Sequence, residues 1–144
     1  MSSQPINAVN FDQFIMVPFK SLGRDYSGCD CWGQIYLVYR DLLNITLETY
    51  EGIPATNLRE VSRLIALHKL TWERVEVPQK FDVVILKTQA SESLVSHVGV
   101  MISNTHLLHT EDRIGARIVK VTDPFMEKRI IEYRRHRLLQ HQRF

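Results

Sequence analysis

Two cysteines and six histidines hold the reactive side chains of this sequence, and their spacing limits the chemistry open to them. Cys29 and Cys31 stand in RDYSGCDCWGQIYLVYRD, at the mouth of an apolar-periodic segment. A C-x-C pair is a poor disulfide, because neighbours this close cannot easily reach the separation and torsion the bridge requires. Structural zinc sites usually space their cysteines C-x₂₋₄-C, and thiol–disulfide enzymes favour C-x-x-C. A Cys₂His₂ set of Cys29, Cys31, His97 and His109 is therefore an atypical metal site, and the reading assigns no metal and no cofactor. Cys29 fits a loop packing role. Cys31 is the thiol that could attack a carbonyl, provided a base reaches it.

Asp30 is a good N-cap, and Trp32, Ile35, Tyr36, Tyr39, Leu42 and Leu43 recur at helical spacing, which predicts a helix from about Cys31 to Leu43. Cys31 then lies in the first turn, where unpaired N–H groups and the helix dipole favour an anion by roughly 0.3–1 kcal/mol. A helix terminus combined with an imidazolium can bring a thiol from about 8.5 to roughly 3–4, a standing thiolate at neutral pH. His68 in a helix, and His136 and His141 in a basic tail, read as solvated. His97, His106 and His109 fall in one hairpin, SHVGVMISNTHLLHT.

Side chains alternate along strands, so His97 shares a face with Gly99 and Met101, and His109 with Leu107. The two histidines look the same way only if the turn has odd parity. A three-residue loop Ser103-Asn104-Thr105, with Asn104 tolerating a left-handed conformation, puts His109 opposite Gly99 and diagonal to His97, within side-chain reach. A two-residue turn would put them on opposite faces, as two unrelated strand histidines.

The elements that must position these groups fall into two blocks. The 144 residues suit one domain, residues 1–144, with a basic tail from about residue 134. A short helix is expected around Phe11 to Met16. A further helix begins at Asn57, with Glu60 three residues on as a capping box, and carries Leu58, Val61, Leu64, Ile65 and Leu67 on one face. From about Trp72 onward come the strand-like runs TWERVEV, FDVVILK, HVGVMI, THLLH, ARIVKV and RIIEYRR. Helices first and strands afterwards imply an α+β domain with an antiparallel sheet. A net charge of +2 excludes nothing by itself, and nucleic acid is not the expected partner. The opening MSSQPINAVNFDQFIMVPF lacks a basic n-region and is broken by Pro18, and no run is long enough to cross a bilayer, so cytoplasmic synthesis without a signal peptide is expected.

DCWG at a helix start, FDVVIL, SHVGV, and LLH ending twelve residues beyond the first histidine together resemble the NlpC-type cell-wall cysteine peptidases, a papain-like group, over nearly the whole chain. The tryptophan after the cysteine and the preceding VPFKSLGRDYSG are similar to the branch found in phage tail-tip assembly proteins. The resemblance implies a papain-like α+β fold with N-terminal helices packed on the sheet. It implies a nucleophile at Cys31, a general base at His97, and an orienting residue at His109. The implied substrate is the peptide stem of bacterial peptidoglycan, commonly cut beside D-glutamate, and other phage tail proteins and a virion tail tip are the implied partners and location.

Arg24 is then a candidate carboxylate partner for substrate, or else a structural ion pair to Asp25 or Asp30. Where many relatives place a tyrosine near the nucleophile this chain has Phe19, so that hydrogen bond is absent or comes from Tyr26. Asp82 reads as structural, and Gly23 and Gly28 as the tight approach to the nucleophile helix. The rival to catalysis is a non-catalytic tail assembly or docking module that keeps the peptidase fold.

Overall fold

The computed structural model describes residues 10–50, 52–88 and 94–144. The nine residues that open the chain, part of the segment read as lacking a signal peptide, lie outside the described residues. After a single turn α1 (Asp12–Ile15), strands β1 (Arg24–Asp25) and β2 (Gly28–Cys29) form a small antiparallel hairpin. This hairpin leads directly into α2 (Cys31–Leu43). The Asp30 side chain caps α2 by accepting from the Gly33 N–H at 2.8 Å, and Asn44 ends it in the left-handed conformation. Helix α3 (Leu58–His68) starts where Asn57 accepts from the Glu60 N–H, as the capping box requires. Among the described residues no helix is long and apolar enough to cross a membrane.

Six strands follow: β3 (Glu73–Val75), β4 (Val83–Leu86), β5 (His97–Met101), β6 (His106–Glu111), β7 (Gly115–Lys120) and, after the short helix α4 (Pro124–Glu127), β8 (Ile130–Arg135). They form one antiparallel sheet in the order β3-β8-β4-β5-β6-β7. The α+β class with helices on an antiparallel sheet is the one expected. Ile35 and Val38 of α2 enter the same apolar cluster as Val83, Ile85, Val98, Val100 and Leu108. A second cluster joins Val84, Leu86, Met101 and Leu107 to Met126 of α4. Both faces of the central strands are therefore covered, which is why VVIL reads as a continuous apolar run and not as an alternating one.

Backbones pack closely at the entry to α2. A Cβ on Gly23 would lie 2.2 Å from the Gly28 carbonyl oxygen, and one on Gly33 would lie 2.1 Å from the Gly23 oxygen. These contacts hold the β1–β2 hairpin against the first turn of α2, and so hold Cys31. Asp82 is fully buried and receives two hydrogen bonds from Arg135 (2.8 and 2.7 Å) and one from the Gln79 N–H (2.8 Å). It ties β4 to β8, which is structural work.

Three expectations change. Asn104 is not left-handed; the turn is held by the Ser103 hydroxyl, which accepts from the N–H groups of Thr105 and His106. Leu67 leaves the apolar face of α3 and is 64% exposed. The basic C-terminal segment is anchored at Arg134, Arg135, His136, Leu139 and Phe144, while Arg137, His141 and Arg143 stay exposed. Arg134 pairs with Glu132 and Arg135 with Asp82. His136 meets the Trp72 ring edge-on at 4.8 Å, and Phe144 meets Phe81 at 5.1 Å. His68 likewise packs on Tyr50.

Candidate active site

Cys31 is the first residue of α2 and keeps 9% of its surface exposed. It borders a cleft of ≈ 430 Å³ whose wall also includes Phe19, Ser96, His97, Thr110 and Glu111. His97 opens β5, and His109 sits in β6. The pairings Val100↔Leu108 and Met101↔Leu107, continued one step, set Gly99 opposite His109. The turn therefore has the odd parity that brings the histidines together. A Cβ on Gly99 would approach the His109 Cβ to 3.1 Å, so glycine makes room for the second ring. Nε2 of His97 lies 2.8 Å from Nδ1 of His109, with the rings edge-on at 5.1 Å.

Glu111 extends this row and was not singled out from the sequence. Its Oε1 is 3.4 Å from Nδ1 of His109, and its two oxygens receive hydrogen bonds from Arg129 at 2.9 Å each. Glu111 could have been found two residues past His109 on the same strand face. Arg129 comes from the far end of the chain, and no local pattern announces it. Among the described residues, His97, His109 and Glu111 are the grouping with metal-ligand donors, and neither cysteine belongs to it. The Cys₂His₂ zinc set is not assembled, and the Glu111 carboxylate is already engaged by Arg129.

The electrostatics correct the standing-thiolate expectation. Burial pushes the Cys31 thiol up to about 12, and Asp30 adds to the rise; backbone hydrogen bonds from Val98 and Trp32 pull the other way. Burial, then His109, push His97 down to about 3, and burial pushes His109 down to about 4. Both members of the couple favour their uncharged forms, so the free protein rests as thiol and imidazole. Burial raises Cys29 to about 12 as well. The two thiols differ in place: Cys29 is fully buried in the core, while Cys31 opens on the cleft that holds His97.

Of the other expected site residues, Phe19 lines the cleft. Arg24 is consumed internally: Nη1 donates to Asp30 Oδ1 and to the Gly23 carbonyl, both at 2.7 Å, and Nε donates to the Thr49 carbonyl at 2.9 Å. The structural ion pair to Asp30 is thus the alternative realised. Tyr26 is 41% exposed, hydrogen-bonded to Gln13 and Asp41, and is not part of the wall around Cys31.

A family model described as NlpC/P60 family matches residues 16–135, which include Cys31, His97 and His109. The chain belongs to the NlpC/P60 family. Members of this family are usually cysteine peptidases that hydrolyse peptidoglycan. Among solved structures, the chain is similar to a lipoprotein-like NLP/P60 family protein from Staphylococcus aureus subsp. aureus Mu50, with TM-score 0.60, 19% identity, and coverage of 90% of this chain and 41% of that one. An NlpC/P60 family protein from Bacillus cereus ATCC 10987 gives TM-score 0.57 and 18% identity, covering 87% and 39%. The NlpC/p60 domain of the peptidoglycan hydrolase SagA gives TM-score 0.56 and 15% identity, covering 85% and 90%. The chain thus spans about two-fifths of the first two relatives and nearly all of the third domain. These likenesses establish the NlpC/P60 fold. No curated protein sequence matches the chain.

Proposed function

We propose that this NlpC/P60 chain is a cysteine endopeptidase acting on the peptide stem of bacterial peptidoglycan, as a tail-tip component of a phage or prophage. The observation that carries the reading is the cleft shared by Cys31 and His97, with Nε2 of His97 held at 2.8 Å by His109. The tail-tip part rests on DCWG and VPFKSLGRDYSG alone.

In the mechanism, His97 takes the thiol proton as Sγ of Cys31 attacks the amide carbonyl, so charge appears on both groups only as the bond forms. His109 accepts from Nε2 of His97 and leaves Nδ1 for the thiol. The first-turn N–H of Cys31, which has no acceptor within the helix, faces the oxyanion that develops. His97 then returns its proton to the leaving amine, and water activated by the same ring releases the acyl group. Glu111, held by Arg129, favours the charged form of both imidazoles.

The docking-module alternative has one observation in its favour, the burial that keeps thiol and imidazole neutral. Digestion of purified sacculi separates the two. Wild type is expected to release peptides with new free amines, read by mass spectrometry, while Cys31→Ala releases none. Folded wild type that releases nothing, or an equally active Cys31→Ala, would reject the reading.

A further inference from the structure

The row behind Cys31 contains two imidazoles, and their surroundings differ. Nδ1 of His109 faces Nε2 of His97 at 2.8 Å and Oε1 of Glu111 at 3.4 Å. Glu111 is held from behind: Arg129 donates to both of its oxygens at 2.9 Å, and Arg117 of β7 lies 3.6 Å from Oε1. Nε2 of His109 is buried with no hydrogen-bond partner among the described residues. Nothing on that side fixes the tautomer of the ring, so the groups around Nδ1 decide it. An ionised carboxylate can only accept, and Oε1 gains a hydrogen bond from this ring only when Nδ1 carries a proton.

We propose that the positive charge created when Cys31 gives up its proton passes through His97 and settles on His109, and that Glu111 is the positioning residue that holds it there. The inference rests on the peptidase reading and goes beyond it in assigning the charge. As Sγ attacks the carbonyl carbon, the thiol proton moves to Nδ1 of His97, and the proton on Nε2 of His97 crosses to Nδ1 of His109. His97 is then neutral, with its proton on Nδ1. His109 is protonated at both nitrogens and pairs with Glu111. Both shifts reverse when the leaving amine takes the proton from Nδ1 of His97. A carboxylate in the third place does not become protonated and only orients and stabilises its histidine. An imidazole there has the intrinsic basicity of its neighbour, a pKa of about 6.5, so the transfer is nearly balanced before the surroundings act. The carboxylate stands beside His109 and tips that balance. In keeping with this, His109 is the more basic ring, held at about 4 against about 3 for His97.

The test places an anion on Cys31 and reads which ring answers. Sγ displaces iodide from iodoacetate to form a carboxymethyl thioether, and the ring-nitrogen chemical shifts of both histidines are followed by NMR through the pH at which the pair takes up one extra proton. His109→Asn, which lacks one ring, assigns the signals. His109 is expected to become protonated at both nitrogens while His97 keeps one bare. Glu111→Gln should lower kcat on sacculi about tenfold with KM unchanged, because an opposite charge within about 4–6 Å moves a pKa by about 1–3 and Arg129 offsets part of that. His109→Asn still accepts from Nε2 of His97 but cannot take its proton. Its kcat should fall about tenfold or more, and adding Glu111→Gln should change nothing further. A doubly protonated His97, or a His109→Asn chain as fast as wild type, overturns the proposal. The charge is located without turnover, so a chain inactive on sacculi counts against the peptidase reading alone.

Discussion

Replacing His97 by alanine is expected to lower amide hydrolysis by about 10²–10⁴-fold, the range lost with a general acid–base group. The loss has a specific origin in this site. The Cys31 thiol is held near 12 by burial, so without a ring to take its proton almost none is ionised at neutral pH. In the peptidase mechanism, the same ring protonates the leaving amine, so both halves of the reaction suffer. The variant also takes from the buried Nδ1 of His109 its 2.8 Å partner, leaving Glu111 Oε1 at 3.4 Å, and empties a buried position, which lowers stability. Initial rates should therefore be compared alongside a thermal unfolding scan, so that a catalytic loss is read on folded protein. A rate within tenfold of wild type would remove His97 from the mechanism.

The largest stability effect is expected at Asp82. Its carboxylate is fully buried and makes two hydrogen bonds to Arg135, which is itself 9% exposed. Asp82→Asn keeps the shape and removes the charge, leaving a guanidinium inside the protein without its counter-ion. Breaking one half of such a pair costs roughly 3–5 kcal/mol, a large share of the 5–15 kcal/mol that typically holds a domain folded. Urea titration at neutral pH should show the loss as a lowered midpoint at unchanged slope. The double replacement Asp82→Leu with Arg135→Met should recover much of it, because no unpaired charge then remains. A single variant within about 1 kcal/mol of wild type would mean that the pair is not structural.

These two sites were legible to different degrees, for physical reasons. Helix α2 was readable because Asp30 and the apolar period act within one segment, and its bounds Cys31–Leu43 match the expected ones. The His97–His109 pairing was readable because strand alternation and turn parity are local rules, even though the turn uses the Ser103 hydroxyl and not a left-handed Asn104. Protonation states were not readable. The dipole and a neighbouring ring argue for a thiolate, and only the three-dimensional burial of Cys31 and His97 shows that desolvation outweighs them. The fate of Arg24 depends on the Thr49 carbonyl, twenty-five residues away. Arg129 reaches Glu111 across the sheet, and the docking of His136 on Trp72 joins segments still more remote in sequence. Such contacts follow from topology, which one local window does not contain.

The most direct test is the rate of iodoacetamide alkylation at Cys31 between pH 4 and 10, mapped by mass spectrometry, with Cys29 as internal control. Between about 3 and about 12 the Cys31–His97 couple holds a single proton. Its minor thiolate–imidazolium form contains the same number of protons as the neutral form, so that population does not change with pH. A lone thiol raised by burial behaves differently, its thiolate fraction growing tenfold for each pH unit. The account expects a pH-independent floor at Cys31 at the acid end in wild type, overtaken at higher pH by the tenfold-per-unit rise of its plain thiolate, and in His97→Ala that rise alone, the slope Cys29 shows throughout. A wild-type Cys31 that climbs tenfold per unit and matches His97→Ala would contradict the account, since thiol and imidazole would then share a cleft without sharing a proton.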